Sequence, residues 1–121
     1  MTSSLSATLQ HLREANGLDL AAVVTSDGLL VDAAGSPDLD AEMLSAVASS
    51  GLLMMDALAR ELGQNGTGQA ILEYDHSLVL LTPIDDQLLF VAVTRGDGNL
   101  GRLRIVVRRS LDGVRAAAAE L

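Results

Sequence analysis

The hydrophobic pattern between Asp40 and Gly63 predicts one long helix that is apolar on roughly half of its circumference. Two stripes of apolar or small residues run along it with the alternating steps of three and four residues that a helix requires. The first stripe is Ala41, Ser45, Ala48, Leu52, Met55, Ala59 and Leu62, and the second is Leu44, Val47, Gly51, Met54 and Leu58. A surface helix covers a core with an apolar arc of only ~100°. We therefore expect one stripe to lie on the domain's own sheet and the other to meet a second chain.

The first stripe is the predicted dimer interface, because its small side chains would let two helix backbones approach closely. The predicted interface residues are Ala41, Ser45, Ala48, Leu52, Met55 and Ala59. We expect Ala48→Arg to split the dimer, since it places a long charged side chain where only Ala fits. The surplus apolar surface favours an assembly module over an enzyme.

Five shorter apolar runs predict the strands of one antiparallel sheet. They are Leu20–Thr25, Leu29–Ala34, Gln69–Tyr74, Ser77–Thr82 and Leu88–Thr94. The Asp27-Gly28 pair favours a hairpin between the first two strands, and the later connections are too short for parallel crossovers. A first helix capped by Ser3 or Ser4 and a last helix capped by Asn99 complete the pattern. The sequence predicts a single α+β domain over residues 1–121, in the order α-β-β-α-β-β-β-α.

Composition limits the possible partners. The chain has 121 residues and a net charge of −8, with eight Arg and no Lys, and only Tyr74 and Phe90 are aromatic. The core must therefore be aliphatic, and the shortage of rings and of positive charge disfavours nucleic acid. Five Arg lie in the last 20 residues: Arg102, Arg104, Arg108, Arg109 and Arg115. A solvated helix face is the simpler interpretation of these arginines, and docking of an acidic partner is the alternative.

Targeting signals and membrane spans are not predicted. No apolar segment precedes Arg13, so we expect no signal peptide. The longest apolar run, Leu88–Val93, is too short to cross a bilayer. The chain contains no Cys, which excludes disulfides and thiolate metal sites. We expect a cytoplasmic protein that has no membrane partner.

Motifs that resemble catalytic or cofactor sites lack their necessary context. Residues Gly96–Gly101 match the G-x-G-x-x-G pattern, but no parallel strand follows to complete a dinucleotide site. Residues Gly63–Gly68 are glycine-rich but lack the Lys of a phosphate-binding loop. His11 and His76 have no metal-ligand spacing, and the neighbours Asp75, His76 and Ser77 cannot converge on one substrate atom. We predict no catalytic residues, no metal and no cofactor.

Several segments together resemble the roadblock/dynein light chain family. Leu20–Val31, with its Ser-Asp-Gly turn, is similar to the first hairpin of that family. The Ala- and Ser-rich segment Leu44–Ala48 is similar to its central helix, and Asn99–Arg104 is similar to the segment that opens its last helix. The element order agrees as well, so the resemblance covers nearly the whole chain.

This resemblance implies a profilin-like fold and a homodimer. In the family the central helices pair, and the sheets join through the strand after that helix, here Gln69–Tyr74. Bacterial members often regulate Ras-like small GTPases, and one relative, the partner of a gliding-motility GTPase, accelerates GTP hydrolysis. The resemblance thus implies a non-enzymatic regulator or scaffold of a small GTPase, with Ser49, Asp56 and Arg60 near the partner-binding surface. An arginine supplied to the GTPase would come from Arg60 or Arg95.

Two other functions fit the same sequence. One is a structural adaptor in a signalling or motility complex that binds its partners regardless of nucleotide. The other is a small-molecule sensor, which needs a pocket with converging polar groups. The sequence offers few buried polar residues for such a pocket, so the sensor ranks last.

Overall fold

The computed structural model describes residues 3–96 and 99–121. Within these residues, three helices and five strands follow one another in the predicted order. They are α1 (Ser4–Asn16), β1 (Leu20–Thr25), β2 (Leu30–Gly35), α2 (Ala41–Glu61), β3 (Ala70–Tyr74), β4 (Ser77–Pro83), β5 (Leu88–Arg95) and α3 (Leu100–Ala119). The α+β prediction is confirmed, and the predicted strand limits differ from the observed ones by one residue at most.

Side-chain caps begin all three helices. Ser3 accepts a hydrogen bond from the N–H of Ser6 at 3.0 Å, Asp40 from Met43 at 3.0 Å, and Asn99 from Arg102 at 3.0 Å. Each bond satisfies a backbone donor that the first helical turn leaves without a partner. The local sequence therefore sets where each helix starts.

The five strands form one antiparallel sheet in the order β2-β1-β5-β4-β3. The central strands β1 and β5 are buried along nearly their whole length, and Val23 of β1 lies opposite Phe90 of β5. Strands covered on both faces read as continuous apolar runs rather than as alternating patterns. In the described residues, β2 and β3 are the sheet edges, and each pairs with one neighbour only.

The helices cover the two faces of this sheet unequally. Helices α1 and α3 pack on one face with Val23, Leu80 and Phe90, and Leu5, Leu9, Leu103, Val107 and Val114 complete that core. Helix α2 packs on the other face against a second cluster that contains Leu20, Val24, Leu89 and Val91.

On its face, α2 lies mainly over β1, β2 and β5. In the described residues, β3 and β4 have no comparable contact with α2 on that face. Helix α2 has 21 residues and is long and apolar enough to cross a membrane by length and composition alone. A helix that must cover a sheet and offer a second apolar face has the same composition.

Candidate functional site

The first stripe of α2, predicted as the dimer interface, faces the chain's own sheet. Ser45 and Ala48 are buried, with Ala48 only 8% exposed. Ala41, Leu52 and Met55 are partly buried against the same cluster as Ala48. Ala59, also buried, accepts a hydrogen bond from the N–H of Gln64 at 2.8 Å through its carbonyl. The structure therefore buries the first stripe within the chain and leaves the second exposed, the opposite of what the predicted interface requires. A dimer interface on either stripe stays a prediction.

The second stripe is open to solvent. Met54 is 75% exposed and Val47 and Leu58 are each 61% exposed. Gly51, between Val47 and Met54, is partly buried, as is Leu44 at the start of the stripe. Periodicity could not distinguish the stripes, because both have helical spacing and both are apolar. The structure separates them: it buries Ser45 and Ala48 of the first stripe against the sheet and leaves Met54 of the second exposed.

An apolar groove of about 540 Å³ lies between this stripe and the uncovered strands. We call it the helix groove. Its walls include Val47, Gly51 and Met54 from α2 and Leu72, Tyr74, Val79 and Leu81 from β3 and β4. Soluble monomers rarely leave a continuous apolar surface of this kind exposed unless it binds something. The alternation of β3, which places Leu72 and Tyr74 on one face, was the sequence signal for this wall.

Strand β3 borders the helix groove and is an open edge. It pairs with β4 alone in the described residues, with Leu72 opposite Val79 and Tyr74 opposite Ser77. Tyr74 is 62% exposed. An unpaired strand presents backbone N–H and C=O groups to any chain that can extend the sheet. The groove and the open edge thus form one continuous surface.

The residues predicted to bind a partner are not brought together at this surface. Ser49 is 3% exposed, and its hydroxyl donates to the carbonyl of Thr25 at 3.0 Å. Asp56 accepts from the N–H of Thr67 at 2.9 Å and so holds the loop that follows α2. Only Arg60 is exposed. Ser49 and Asp56 therefore have structural contacts within the chain, and their role in partner binding stays a prediction.

Arg95, the other candidate for an arginine supplied to a GTPase, is engaged within the chain. Its guanidinium contacts Asp38 at 2.6 Å and Asp19 at 3.2 Å. The hydrogen bond from Arg95 holds the pKa of Asp38 well below its ordinary value, and pairing with Asp38 and Asp19 raises the pKa of Arg95. This pair of contacts joins the end of β5 to the segments before β1 and after β2. Arg95 is a clamp at one end of the helix groove.

The arginines of α3 divide into two groups. Arg102, Arg104, Arg108 and Arg109 are exposed. Arg115 instead donates to the carbonyl of Ile84 at 3.0 Å and contacts Asp112 at 2.9 Å. It ties α3 to the turn between β4 and β5, a role that the charge pattern did not indicate. Docking of an acidic partner on the exposed group stays a prediction.

Where the structure describes them, the motifs that resemble catalytic or cofactor sites lie in turns and at the ends of strands and helices. His76 lies in the turn between β3 and β4, where its carbonyl accepts the N–H of Gly96 at 2.8 Å. Within residues 3–96 and 99–121, no group of three or more His, Asp or Glu side chains is placed to hold a metal ion. In the Gly96–Gly101 motif, residues 97 and 98 lie outside the described residues, and Gly101 is part of α3.

Sheet order, helix placement and an open apolar face together define a profilin-like domain. Profilin of Schizosaccharomyces pombe is similar in structure, with a TM-score of 0.65, 12% sequence identity and coverage of 89% of this chain and 94% of profilin. The Roadblock/LC7 domain profile matches residues 5–94, and the chain belongs to the Roadblock/LC7 family. The match ends before α3 begins.

Relatives and solved structures of similar length match most of this chain. The uncharacterized proteins MJ0714 and MJ0310 of Methanocaldococcus jannaschii are 29% and 30% identical over 94% and 89% of this chain, which is 96% and 94% of their own length. MglB of Myxococcus xanthus has a TM-score of 0.87 at 19% identity over 97% of this chain and 96% of its own. The gliding protein MglB of Thermus thermophilus has a TM-score of 0.85 at 15% identity over 98% and 90%.

Proposed function

We propose that this chain is a cytoplasmic homodimer that regulates or scaffolds a Ras-like small GTPase without catalysing a reaction of its own. The observation that carries the proposal is the apolar surface formed by the second stripe of α2, the helix groove and the open edge of β3. Membership of the Roadblock/LC7 family and structural similarity to gliding proteins called MglB support the regulatory role. The small-GTPase partner is inferred from the resemblance.

The dimer seam in this proposal is the second stripe rather than the first. Two copies related by a two-fold axis would place Val47, Met54 and Leu58 against the same residues of the second copy. Gly51, which has no side chain, would let the helices approach closely at the centre of the seam. The edges of the two β3 strands would meet beside it and join the sheets.

Met54→Glu tests this seam, because it places a charge in the centre of the proposed contact. We expect sedimentation equilibrium to give a dimer for the native chain and a folded monomer for Met54→Glu. Ala57→Glu is the matched control, since Ala57 is exposed on the same helix and belongs to neither stripe. A native chain that sediments as a monomer, or a Met54→Glu variant that stays dimeric, would reject the seam.

The proposed effect on a GTPase is to position the GTPase's own switch residues. Of the two candidate arginines, Arg60 is exposed on α2, whereas Arg95 at the end of β5 is bound to Asp38 and Asp19. An arginine that stabilises the transition state is worth about 10³–10⁵ in rate. If Arg60 supplied it, Arg60→Ala would remove stimulation of that size. Positioning alone predicts stimulated hydrolysis that survives Arg60→Ala.

Nucleotide dependence separates the regulator from the adaptor. The chain, immobilised by its amino terminus, is incubated with native lysate loaded either with a non-hydrolysable GTP analogue or with GDP, and retained proteins are identified by mass spectrometry. We expect a Ras-like GTPase to be retained with the analogue and lost with GDP, and the purified GTPase to reproduce this. Equal retention in both states would replace the regulator with a nucleotide-independent adaptor. Retention of no GTPase in either state would overturn the proposed partner.

A further inference from the structure

The second edge of the sheet, β2, borders a groove of about 820 Å³ that the proposed dimer does not use. We call it the edge groove. Its walls are the hairpin end at Gly28 and Leu29, the strand β2 itself, the connection through Pro37 and Leu39, and the start of α2 at Ala41 and Glu42. Strand order places β2 at the opposite end of the sheet from β3. A ligand of the edge groove would therefore bind away from the dimer seam.

Backbone groups of β2 point out of the sheet along this groove. The N–H of Ser36 donates to the carbonyl of Asp19 at 2.9 Å, toward β1. In an antiparallel strand, donors alternate between the two sides, so the N–H groups of Gly35 and Ala33 point outward. The N–H of Ala33 donates to the Asp32 carboxylate of its own strand at 2.8 Å. Asp32 therefore occupies a donor that a further strand would need.

The charges along the groove determine which strand could be added. Its lining contains the carboxylates Asp32 and Glu42 and no Arg, Lys or His. A second copy of β2 would add its own Asp32 to a groove that is already acidic, and like charges across a strand pair are destabilising. An acidic segment is excluded for the same reason. A basic side chain, in contrast, would draw the Asp32 carboxylate into an ion pair and release the N–H of Ala33 for a backbone hydrogen bond.

We propose that the edge groove binds an extended, basic peptide segment of a partner protein, which adds to β2 as a sixth strand. Backbone hydrogen bonds to the outward groups of Ala33 and Gly35 supply affinity. Apolar side chains on the α2 side of the peptide lie on Leu30, Ala33 and Leu39. The alternating Arg or Lys side chains lie on its other side, where they pair with Asp32. Asp32 makes the site selective for basic peptides, because its carboxylate holds the N–H of Ala33 until a cationic side chain pairs with it.

The probe is a fluorescent, end-capped hexapeptide of alternating arginine and valine, titrated against the full chain by fluorescence anisotropy. The comparison peptide alternates glutamate and valine. We expect the arginine peptide to bind, the binding to weaken as salt is raised, and the glutamate peptide not to bind. Amide chemical-shift changes in the labelled chain should be confined to residues 28–42 and to neighbouring β1.

Two variants test the two parts of the site. Asp32→Arg reverses the selecting charge and should weaken binding at least tenfold, whereas Asp86→Arg makes the same charge change in an exposed turn and should not. Ala33→Pro removes the outward N–H, which an edge strand tolerates because that N–H makes no bond to the sheet, and should weaken binding about tenfold. If Ala33→Pro does not fold, the comparison of Asp32→Arg with Asp86→Arg decides whether the peptide binds in the edge groove.

Four results would overturn the proposal: no binding of the arginine peptide, equal binding of the glutamate peptide, shift changes at Leu72–Tyr74 instead of β2, or unchanged binding by folded Asp32→Arg. None of these measurements depends on the GTPase or on dimerisation. The Met54→Glu monomer should bind the arginine peptide as the native chain does, so the two proposals fail separately.

Discussion

The two faces of the sheet are built from the same aliphatic residues, but the chain closes only one of them. On the α1 and α3 face, all five strands contribute to or pack on one core around Phe90. On the α2 face, the single helix covers β1, β2 and β5 and leaves Leu72, Tyr74 and Val79 along an open groove. Burial on the closed face stabilises the fold of one chain. On the open face, apolar area remains that only association can bury.

The difference shows that apolar surface in a small domain can either stabilise the fold or support association. The degree of burial within one chain distinguishes the two. Small residues of α2 such as Ser45 and Ala48 lie against the sheet, and large ones such as Met54 lie outside. A surface that is apolar but exposed by 61–75% at Val47, Met54 and Leu58 contributes little to the stability of a single chain. Substitutions on the two faces should therefore separate stability from assembly.

The largest effect is expected for Phe90→Ala in the closed core. It should lower the free energy of unfolding by about 3–5 kcal/mol, because it leaves a cavity where a fully buried ring was. Leu72→Ala on the open face is the control, and should cost less than about 1 kcal/mol. Urea unfolding in the monomeric Met54→Glu background measures both. Equal costs at the two positions would mean that the open face is already covered within one chain.

Ala48→Arg comes next, and the structure changes the result that the sequence predicts for it. Ala48 lies between α2 and the sheet, so the arginine should lower the free energy of unfolding by about 2–3 kcal/mol through overpacking. The matched variant Ala57→Arg, at an exposed position outside both stripes, should change it by less than about 0.5 kcal/mol. Thermal unfolding measures the stability of both variants, and sedimentation measures their oligomeric state. A fully stable Ala48→Arg monomer would return the seam to the first stripe.

A smaller effect is expected for Ser49→Ala. The variant loses the buried hydrogen bond to the carbonyl of Thr25, which should cost about 1 kcal/mol. Nucleotide-dependent binding of the GTPase should be unchanged, because Ser49 is covered by its own chain. Ser50→Ala, at an exposed neighbouring position, controls for the change in helix composition. Lost GTPase binding with unchanged stability would restore Ser49 as a partner-binding residue.

The smallest effect concerns the Arg95 clamp at one end of the open groove. Because Arg95 lowers the pKa of Asp38, the clamp contributes fully above the ordinary carboxyl pKa of about 3.9 and is lost as the pH falls toward the lowered value. Asp38→Asn should lower the Tm slightly at neutral pH, and the difference from the native chain should shrink in acid. Asp75→Asn, in a turn, is the control for the loss of one carboxylate. A constant difference at all pH values would argue against the ion pair.

Much of the fold could be predicted because its signals are local. Strand limits follow from apolar runs bounded by turn residues, and helix starts follow from Ser3, Asp40 and Asn99, which cap the backbone a few residues away. The candidate site was only half predictable. The surplus apolar arc of α2 indicated that a second surface exists. The residue spacing shows that the two stripes lie side by side, but it does not show which of them faces the sheet.

The sequence by itself determined the order of elements, the aliphatic core and the excess of apolar surface on α2, since each depends on residues close together in the chain. Tertiary structure decided which stripe of α2 is buried, that Ser49 and Arg95 are engaged within the chain, and that β2 and β3 are the edges. These outcomes depend on contacts between residues as far apart as Asp19 and Arg95. Such contacts are selected by packing of the whole chain, which no local pattern contains.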